Sequence, residues 1–151
     1  MGLGRFGGGA GAARYFCSRG ARVTVTDLAS EEDLAETLAD IADIDCSFHL
    51  GGHDEADFTD ADIVCASPAV RPGDRFVAAA EEAGAAIVTE IGVFLDEFPG
   101  CVIGVTGSNG KSTTAALIYE MLSAAGTDCC LGGNIGGSLL NGLENMNSET
   151  R

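Results

Sequence analysis

The sequence predicts an α/β protein in which a parallel sheet, covered by helices, precedes a second α/β unit that opens with a glycine loop. Two observations carry this prediction. Over residues 1–98, short apolar runs alternate with segments of helical spacing, and strands joined by helices form parallel sheets. Over residues 99–151, a glycine loop stands between an apolar run and a helical segment. Pro99 and Gly100 mark the predicted boundary between the two domains.

Local signals place the elements of residues 1–98. Gly20 and Gly84 are expected to end helices, because glycine readily adopts the left-handed conformation at a helix terminus, and Ser30 is expected to cap one. The predicted order is helix 10–19, strand 22–27, helix 31–38, strand 46–50, strand 62–66, helix 74–83, strand 86–89 and a short helix or connector over 90–98.

Residues 99–151 are predicted with the same rules. The helix over 115–125 has an apolar face, formed by Leu117, Ile118, Met121 and Leu122. The remaining predictions are a strand end at 101–103, a strand at 129–131, a short helix at 138–143 and a frayed polar tail over 144–151.

Composition narrows the possible partners. The chain has 151 residues and a net charge of -15, which argues against nucleic acid or an anionic membrane as a partner. No apolar run has the length of a membrane helix and no leader-like segment opens the chain, so a cytoplasmic location is expected. His49 and His53 flank two glycines, which favours a surface turn over a metal site.

The chain begins with a dinucleotide-type glycine motif, G-x-G-x-x-G, over residues 2–7. Asp27 follows Gly7 by twenty residues and ends a predicted strand, near the spacing of nucleotide-binding βαβ units. Ser67 also follows a predicted strand, and ligands of parallel sheets lie beyond such ends. Only Met1 precedes the glycines, so another element fills the slot of the first strand or that strand is missing. A floppy glycine-rich terminus is the alternative interpretation.

A second loop, Gly-Ser-Asn-Gly-Lys-Ser-Thr over residues 107–113, predicts phosphate binding. Its glycines allow the backbone to approach a ligand closely, and amides at a helix start attract an anion. Lys111, the only lysine in the chain, can reach the outer phosphates, and Ser112 can bind magnesium. Val105 stands where the general pattern has a further glycine, so the match is to the shorter form. A glycine turn capped by Ser or Thr is the alternative.

Four stretches in this order and spacing resemble the amino-terminal part of the Mur ligases: GLGRFG at 2–7, SPAV at 67–70, VTGSNGKST at 105–113 and GGNIG at 132–136. Within that family, the resemblance is to the branch that joins D-glutamate to UDP-N-acetylmuramoyl-L-alanine in peptidoglycan synthesis. The family implies a Rossmann-like domain for the uridine nucleotide, a central P-loop ATPase domain, and a third domain that closes over them.

The resemblance also implies residue roles. The UDP substrate would contact Gly2, Leu3, Gly4, Arg5, Phe6, Gly7, Asp27, Ser67 and Asn134. ATP would contact Gly107, Ser108, Asn109, Gly110, Lys111, Ser112 and Thr113, with Lys111 as the catalytic group and Ser112 on Mg²⁺. The implied reaction phosphorylates the substrate carboxylate with ATP; the amine of D-glutamate then attacks, giving an amide, ADP and phosphate.

Some features depart from the family pattern. Ala69 replaces the usual glycine after Ser-Pro, Gly92 replaces a frequent acid, and the chain stops just past GGNIG. A truncated family member, inactive in ligation alone, is therefore expected. Two alternatives stay open. One is a nicotinamide-dependent oxidoreductase domain built on the first glycine motif and Asp27; the other is a non-catalytic fragment that self-associates through its incomplete sheet.

Overall fold

The computed structural model of the protein describes residues 1–5, 7–133 and 137–151. The α-helices are α1 (Gly8–Ser18), α2 (Ala35–Ala39), α3 (Ala56–Thr59), α4 (Arg75–Ala83), α5 (Glu90–Glu97) and α6 (Lys111–Ala124). The strands are β1 (Val23–Asp27), β2 (Cys46–Leu50), β3 (Ile63–Cys65) and β4 (Ala86–Val88). Two 3₁₀ segments cover Glu32–Leu34 and Leu139–Asn145. The mixed α/β class is confirmed.

The strands form two parallel pairs, β1 with β2 and β3 with β4, where one parallel sheet was predicted. Met1 and the first glycine of the loop, Gly2, link the two pairs. Met1 donates its amino group to the carbonyl of Cys65 at 3.0 Å and accepts from the amide of Ser67 at 3.0 Å. On the other side, the amide of Gly2 donates to the carbonyl of Thr26 at 2.8 Å. Met1 and Gly2 thus occupy the slot of the first strand, between β1 and β3.

Three apolar clusters stabilise these elements. The first joins α1 to β1 and the segment after it, and contains Leu3, Ala10, Ala13, Val25, Leu34 and Ile41. The second joins α3 and α4 to β3, and contains Phe58, Val64, Phe76 and Ala80. The third joins α1 and α5 to the second 3₁₀ segment, and contains Ala12, Phe94, Leu140 and Leu143. The last cluster spans the predicted boundary at residue 98, which itself stays a prediction.

Capping contacts occur in residues 1–98, and those of Gly84 and Ser30 were predicted. Asp74 Oδ1 accepts from the amide of Phe76 at 2.9 Å, and Gly84 ends α4 with a φ of 96°. The helix predicted over 31–38 is broken into a 3₁₀ turn and the short α2. Ser30 still accepts from the amide of Asp33 at 3.3 Å, so its predicted capping contact is present.

Two adjacent glycines of α1 are expected to respond oppositely to alanine. A Cβ on Gly9 would overlap the carbonyl oxygen of Leu3 and lie 2.7 Å from its Cα, and main-chain atoms cannot rotate away. A Cβ on Gly8 would meet only Glu90 Oε2, at 3.6 Å. We therefore expect Gly9→Ala to lower the free energy of unfolding by about 2–3 kcal/mol. Gly8→Ala should raise it by about 0.5 kcal/mol through a less flexible unfolded chain.

Urea denaturation followed by circular dichroism measures both changes. Because the two variants differ by one position in the same helical turn, helix propensity cancels between them. Equal stabilities for Gly8→Ala and Gly9→Ala would contradict the close approach of α1 to Leu3.

Residues 99–151 depart more from prediction. The segments 101–103 and 129–131 are not strands, so those two predictions are wrong. The tail is not frayed: Thr150 is buried, and its Oγ1 donates to Asp128 Oδ2 at 2.6 Å. The carbonyls of Thr150 and Arg151 accept from the amides of Cys101 and Cys130, at 3.2 and 2.8 Å. The tail thus supplies acceptors for two backbone amides.

Helix α6 starts at Lys111, directly after the loop glycines, and none of its residues is buried. Leu117 and Met121 of the predicted apolar face are 58% and 63% exposed. Among the described residues, no helix combines the length and apolarity needed to cross a membrane.

Candidate functional site

Asp27 anchors the first glycine loop at the carboxyl end of β1. Its Oδ2 accepts from the amide of Gly4 at 3.1 Å, and its Oδ1 accepts from the amide of Ala29 at 2.8 Å. The carboxylate therefore ties the glycine loop to the segment that follows β1. Each oxygen has a further lone pair, so Asp27 can still accept from a ligand hydroxyl.

Ser67 lies opposite, directly after β3. Gly2 has a φ of 78°, and a Cβ there would lie 2.8 Å from the Cβ of Ser67, so only glycine fits. Ser67 Oγ accepts from the amide of Ala69 at 3.3 Å and can still donate its proton. The structure thus brings Gly2, Gly4, Asp27 and Ser67 to one edge of the strands, where parallel sheets bind ligands.

The other residues predicted for the UDP site have different surroundings. The side chain of Leu3 packs in the first apolar cluster, so any ligand contact must come from its main chain. Gly7 precedes α1 with a φ of 84°, and its carbonyl accepts from the amide of Gly11 at 2.8 Å. The first turn of α1 contains no acidic side chain. Phe6 and Asn134 lie outside the described residues.

Arg5 pairs with Asp33, which sequence reasoning did not assign to the site. Arg5 Nη2 lies 3.2 Å from Asp33 Oδ1, and Ser30 Oγ donates to Asp33 Oδ2 at 2.9 Å. The Ser-x-x-Asp spacing of residues 30 and 33 is a capping signal, but the partner across 28 residues is not visible in it.

The glycines of loop 107–113 lead directly into helix α6, and no strand precedes them. Gly107 and Gly110 have φ values of 150° and 77°, and Gly110 directly precedes the fourteen-residue α6. Lys111 Nζ donates to the carbonyl of Gly107 at 2.7 Å, which folds the ammonium over the loop. The first amides of a helix have no partner within the helix, and here they belong to exposed residues such as Ser112.

A contact missed at sequence level joins the two parts of the chain. Ser138 Oγ donates to Glu90 Oε1 at 2.6 Å, and Glu90 lies in the first turn of α5. A Cβ on Gly11 would overlap Ser138 Oγ, so α1 also lies against this segment. No local pattern marks this contact, because its partners are 48 residues apart.

The two histidines border an open cleft of about 530 Å³ beside β2 and α4, and they differ in surroundings. His49 is exposed, and its Nδ1 lies 2.5 Å from Asp57 Oδ2, a hydrogen bond that raises the pKa of His49. His53 is half-buried: its Nδ1 lies 2.5 Å from Thr26 Oγ1, and burial lowers its pKa. The bend at Gly51 lies between the two histidines, but His49 itself belongs to strand β2 and His53 is half-buried, so the predicted surface turn describes neither residue. Within the described residues, no cluster of three or more metal-binding side chains occurs.

His53 is expected to make the protein less stable in mild acid. A pKa below the ordinary 6.5 in the folded state means that unfolding takes up a proton. The contribution of His53 to the free energy of unfolding is therefore complete above about pH 6.5 and is lost as the pH falls through the lowered pKa. His49 has the opposite sign, since its raised pKa favours the folded state below pH 6.5 and this is lost as the pH rises.

Urea midpoints between pH 5 and 8 measure these effects. His53→Gln should flatten the loss of stability toward pH 5, whereas the matched variant His49→Gln should steepen it. Identical pH profiles for His53→Gln and the wild type would contradict the burial of this imidazole.

Comparison with known proteins identifies the family to which this chain is similar. The family model described as Mur ligase MurD-like, N-terminal domain matches residues 1–89. A UDP-N-acetylmuramoylalanine--D-glutamate ligase of Roseiflexus sp. (strain RS-1) is 42% identical over 150 residues, which are 99% of this chain and 32% of that protein. The ligase of the same name from Borreliella afzelii (strain PKo) is 38% identical, over 99% of this chain and 33% of that protein.

The chain spans about a third of the length of the curated relatives it matches. A solved pseudomurein peptide ligase type C from Methanothermus fervidus aligns with 82% of this chain and 25% of its own, at 24% identity and a TM-score of 0.47. That similarity is too slight to support an argument. The family match covers more than half of the chain and includes Asp27 and Ser67. The chain belongs to the MurD-like Mur ligase family.

Proposed function

We propose that this chain binds the uridine diphosphate part of UDP-N-acetylmuramoyl-L-alanine at the edge formed by Gly2, Gly4, Asp27 and Ser67. The observation that supports this best is the pair of hydrogen bonds from Gly4 and Ala29 to the Asp27 carboxylate. They fix the glycine loop to the end of β1 without a ligand. A loop ordered in advance loses less conformational entropy when it binds a nucleotide.

The start of α1 would attract the diphosphate. Eleven residues of helix direct their dipole and first amides toward the loop, and no acid in the first turn offsets that field. The Arg5 guanidinium adds a charge that suits phosphate geometry. The Asp27 carboxylate and the Ser67 hydroxyl would then bind polar groups of the nucleoside part.

Residues 107–113 would hold ATP in the same protein. The Lys111 ammonium donates to a neutral carbonyl at 2.7 Å, and it can exchange that contact for a phosphate at little cost. Ser112 stands in the first turn of α6, where a hydroxyl can bind Mg²⁺. Bound ATP supplies the phosphoryl group that makes a carboxylate reactive toward an amine. Lys111 would neutralise charge on that group, and D-glutamate would be the amine donor.

We further propose that the chain by itself binds substrate but does not complete the ligation. The chain spans about a third of the length of its relatives, and no strand precedes the loop 107–113. Incubation with ATP, D-glutamate and the UDP substrate should release no ADP above background; steady turnover would refute this.

Isothermal titration tests the nucleotide site. UDP-N-acetylmuramoyl-L-alanine and UDP are expected to bind, and Asp27→Ala should weaken both because it releases the glycine loop. Arg22→Ala, which removes one charge at an exposed position, serves as the control. Failure of UDP to bind, or tight binding of NAD alone, would overturn the proposal and favour the nicotinamide-dependent alternative.

Self-association is a second candidate, favoured by one observation. Val102 and Ile103 are exposed, as are Leu117 and Met121 of α6, although such side chains are usually covered. If they form a contact between copies, light scattering should detect a dimer or larger species. Replacing Leu117 and Met121 with glutamate should dissociate it, whereas Leu28→Glu, at an even more exposed apolar position in residues 1–98, should not. A monomer at all concentrations would refute this candidate.

A further inference from the structure

The ion pair between Arg5 and Asp33 joins the first glycine loop to the 3₁₀ segment Glu32–Leu34. Arg5 Nη2 lies 3.2 Å from Asp33 Oδ1. Asp33 is itself oriented by Ser30, which donates to its Oδ2 at 2.9 Å and accepts from its amide at 3.3 Å. The Asp33 carboxylate is therefore held in place within the 3₁₀ segment Glu32–Leu34. Arg5, in contrast, belongs to the first glycine loop.

We propose that Asp33 is a specificity-determining residue that occupies the guanidinium of Arg5 until a diphosphate replaces it. The inference rests on the proposed nucleotide site. Carboxylate and phosphate oxygens bind the same planar donors of arginine, so one arginine group cannot serve both fully. Asp33 thus competes with the ligand, and a ligand without phosphates has no means of displacing it.

The exposure of the pair suits such an exchange. Both side chains are more than half exposed, and ion pairs in water contribute little to stability, so a doubly charged ligand can separate them. Asp27, by comparison, binds two backbone amides that shape the loop, and its contacts need not change. Among the ion pairs of the described residues, only Arg5–Asp33 includes a residue of the glycine loop.

A double-mutant cycle on the full chain tests this competition with UDP and uridine as probes. Asp33→Asn should tighten UDP binding about two- to fivefold, the range of a weak exposed ion pair, and should leave uridine binding unchanged. Arg5→Gln should weaken UDP binding. In the Arg5→Gln background, Asp33→Asn should have no further effect on UDP binding, because the guanidinium for which Asp33 and the diphosphate compete is absent.

Asp43→Asn is the matched control, since it removes one negative charge from the exposed pair that Asp43 forms with Arg14 at 2.6 Å. It should leave UDP binding unchanged, which separates a local effect from the repulsion by a net charge of -15. Thermal melts check folding, and Asp33→Ser repeats the test with a different uncharged polar side chain.

The outcomes are distinct. Unchanged or weaker UDP binding by Asp33→Asn, an equal gain in the Arg5→Gln background, or an equal gain from Asp43→Asn would each overturn the role of Asp33 while UDP binding itself stands. Absence of UDP binding by the wild type and every variant would overturn the proposed nucleotide site, and the competition with it.

Discussion

Replacing Lys111 with alanine is expected to weaken binding of Mg-ATP by about a hundredfold, equivalent to about 2.7 kcal/mol. Lys111 is the only lysine in the chain, and its ammonium lies over the loop at 2.7 Å from the carbonyl of Gly107. In the proposed complex it would contact the outer phosphates, and a charged hydrogen bond at that place has no substitute nearby. Titration with Mg-ATP, followed by calorimetry, measures the loss.

Two further variants separate the charge from its position. Lys111→Arg should retain part of the affinity, because it keeps a cation with a different donor geometry. Arg22→Ala should bind as the wild type does, since it removes the same charge from an exposed position before β1. Equal affinities for Lys111→Ala and the wild type would contradict phosphate binding by this loop.

Phe58→Ala is expected to lower the free energy of unfolding by about 3–5 kcal/mol. Phe58 is 1% exposed, stacks on Phe76 with 5.0 Å between ring centroids, and meets the His53 ring edge-on at 5.6 Å. It lies in the cluster that joins α3 and α4 to β3. Alanine would leave a cavity among these rings, and the rings are held in positions from which they cannot move in to fill it.

Phe48→Ala is the matched control, because Phe48 is 40% exposed and the same atoms are removed. It should cost less than about 1.5 kcal/mol, and chemical denaturation with urea measures both changes. A cost for Phe58→Ala as small as that for Phe48→Ala would contradict the close packing of the cluster. Since small domains have about 5–15 kcal/mol of stability, Phe58→Ala should also shift the melting temperature clearly.

The elements of residues 1–98 could be predicted because local signals and long-range packing agree there. Strand β2 occupies the predicted residues 46–50, and α4 runs from its Asp74 cap to Gly84 as expected. In each case the residues that favour an element also have an apolar partner, so local preference and burial select the same structure.

The segments 101–103 and 129–131 could not be predicted from sequence, because a strand also requires a partner. Both segments are apolar enough to suggest strands, yet Ile103 remains half exposed. The backbone amides of Cys101 and Cys130 donate hydrogen bonds to the carbonyls of the last two residues. Burial of Thr150 depends on Asp128, 22 residues away. Such a contact leaves no trace in local composition, which is why the polar tail was expected to fray.

Part of the candidate site was visible in the sequence for a related reason. Asp27 and Ser67 follow strands, and parallel strands bring their carboxyl ends together whatever the details of the loops. The contacts of Asp33 with Arg5 and of Glu90 with Ser138 were missed, because in each the partner lies far along the chain. Fold topology predicts where a site lies, but individual pairings need coordinates.

The packing of the 3₁₀ segment Leu139–Asn145 on α1 and α5 has a practical consequence for biochemical work. A shorter polypeptide ending at residue 98 would leave Ala12 and Phe94 facing water, and Glu90 would lose its bond to Ser138. Such a polypeptide should aggregate through these exposed apolar side chains, even though all four strands are present. Binding assays on the proposed nucleotide site therefore require the residues beyond 137, which cover the apolar faces of α1 and α5.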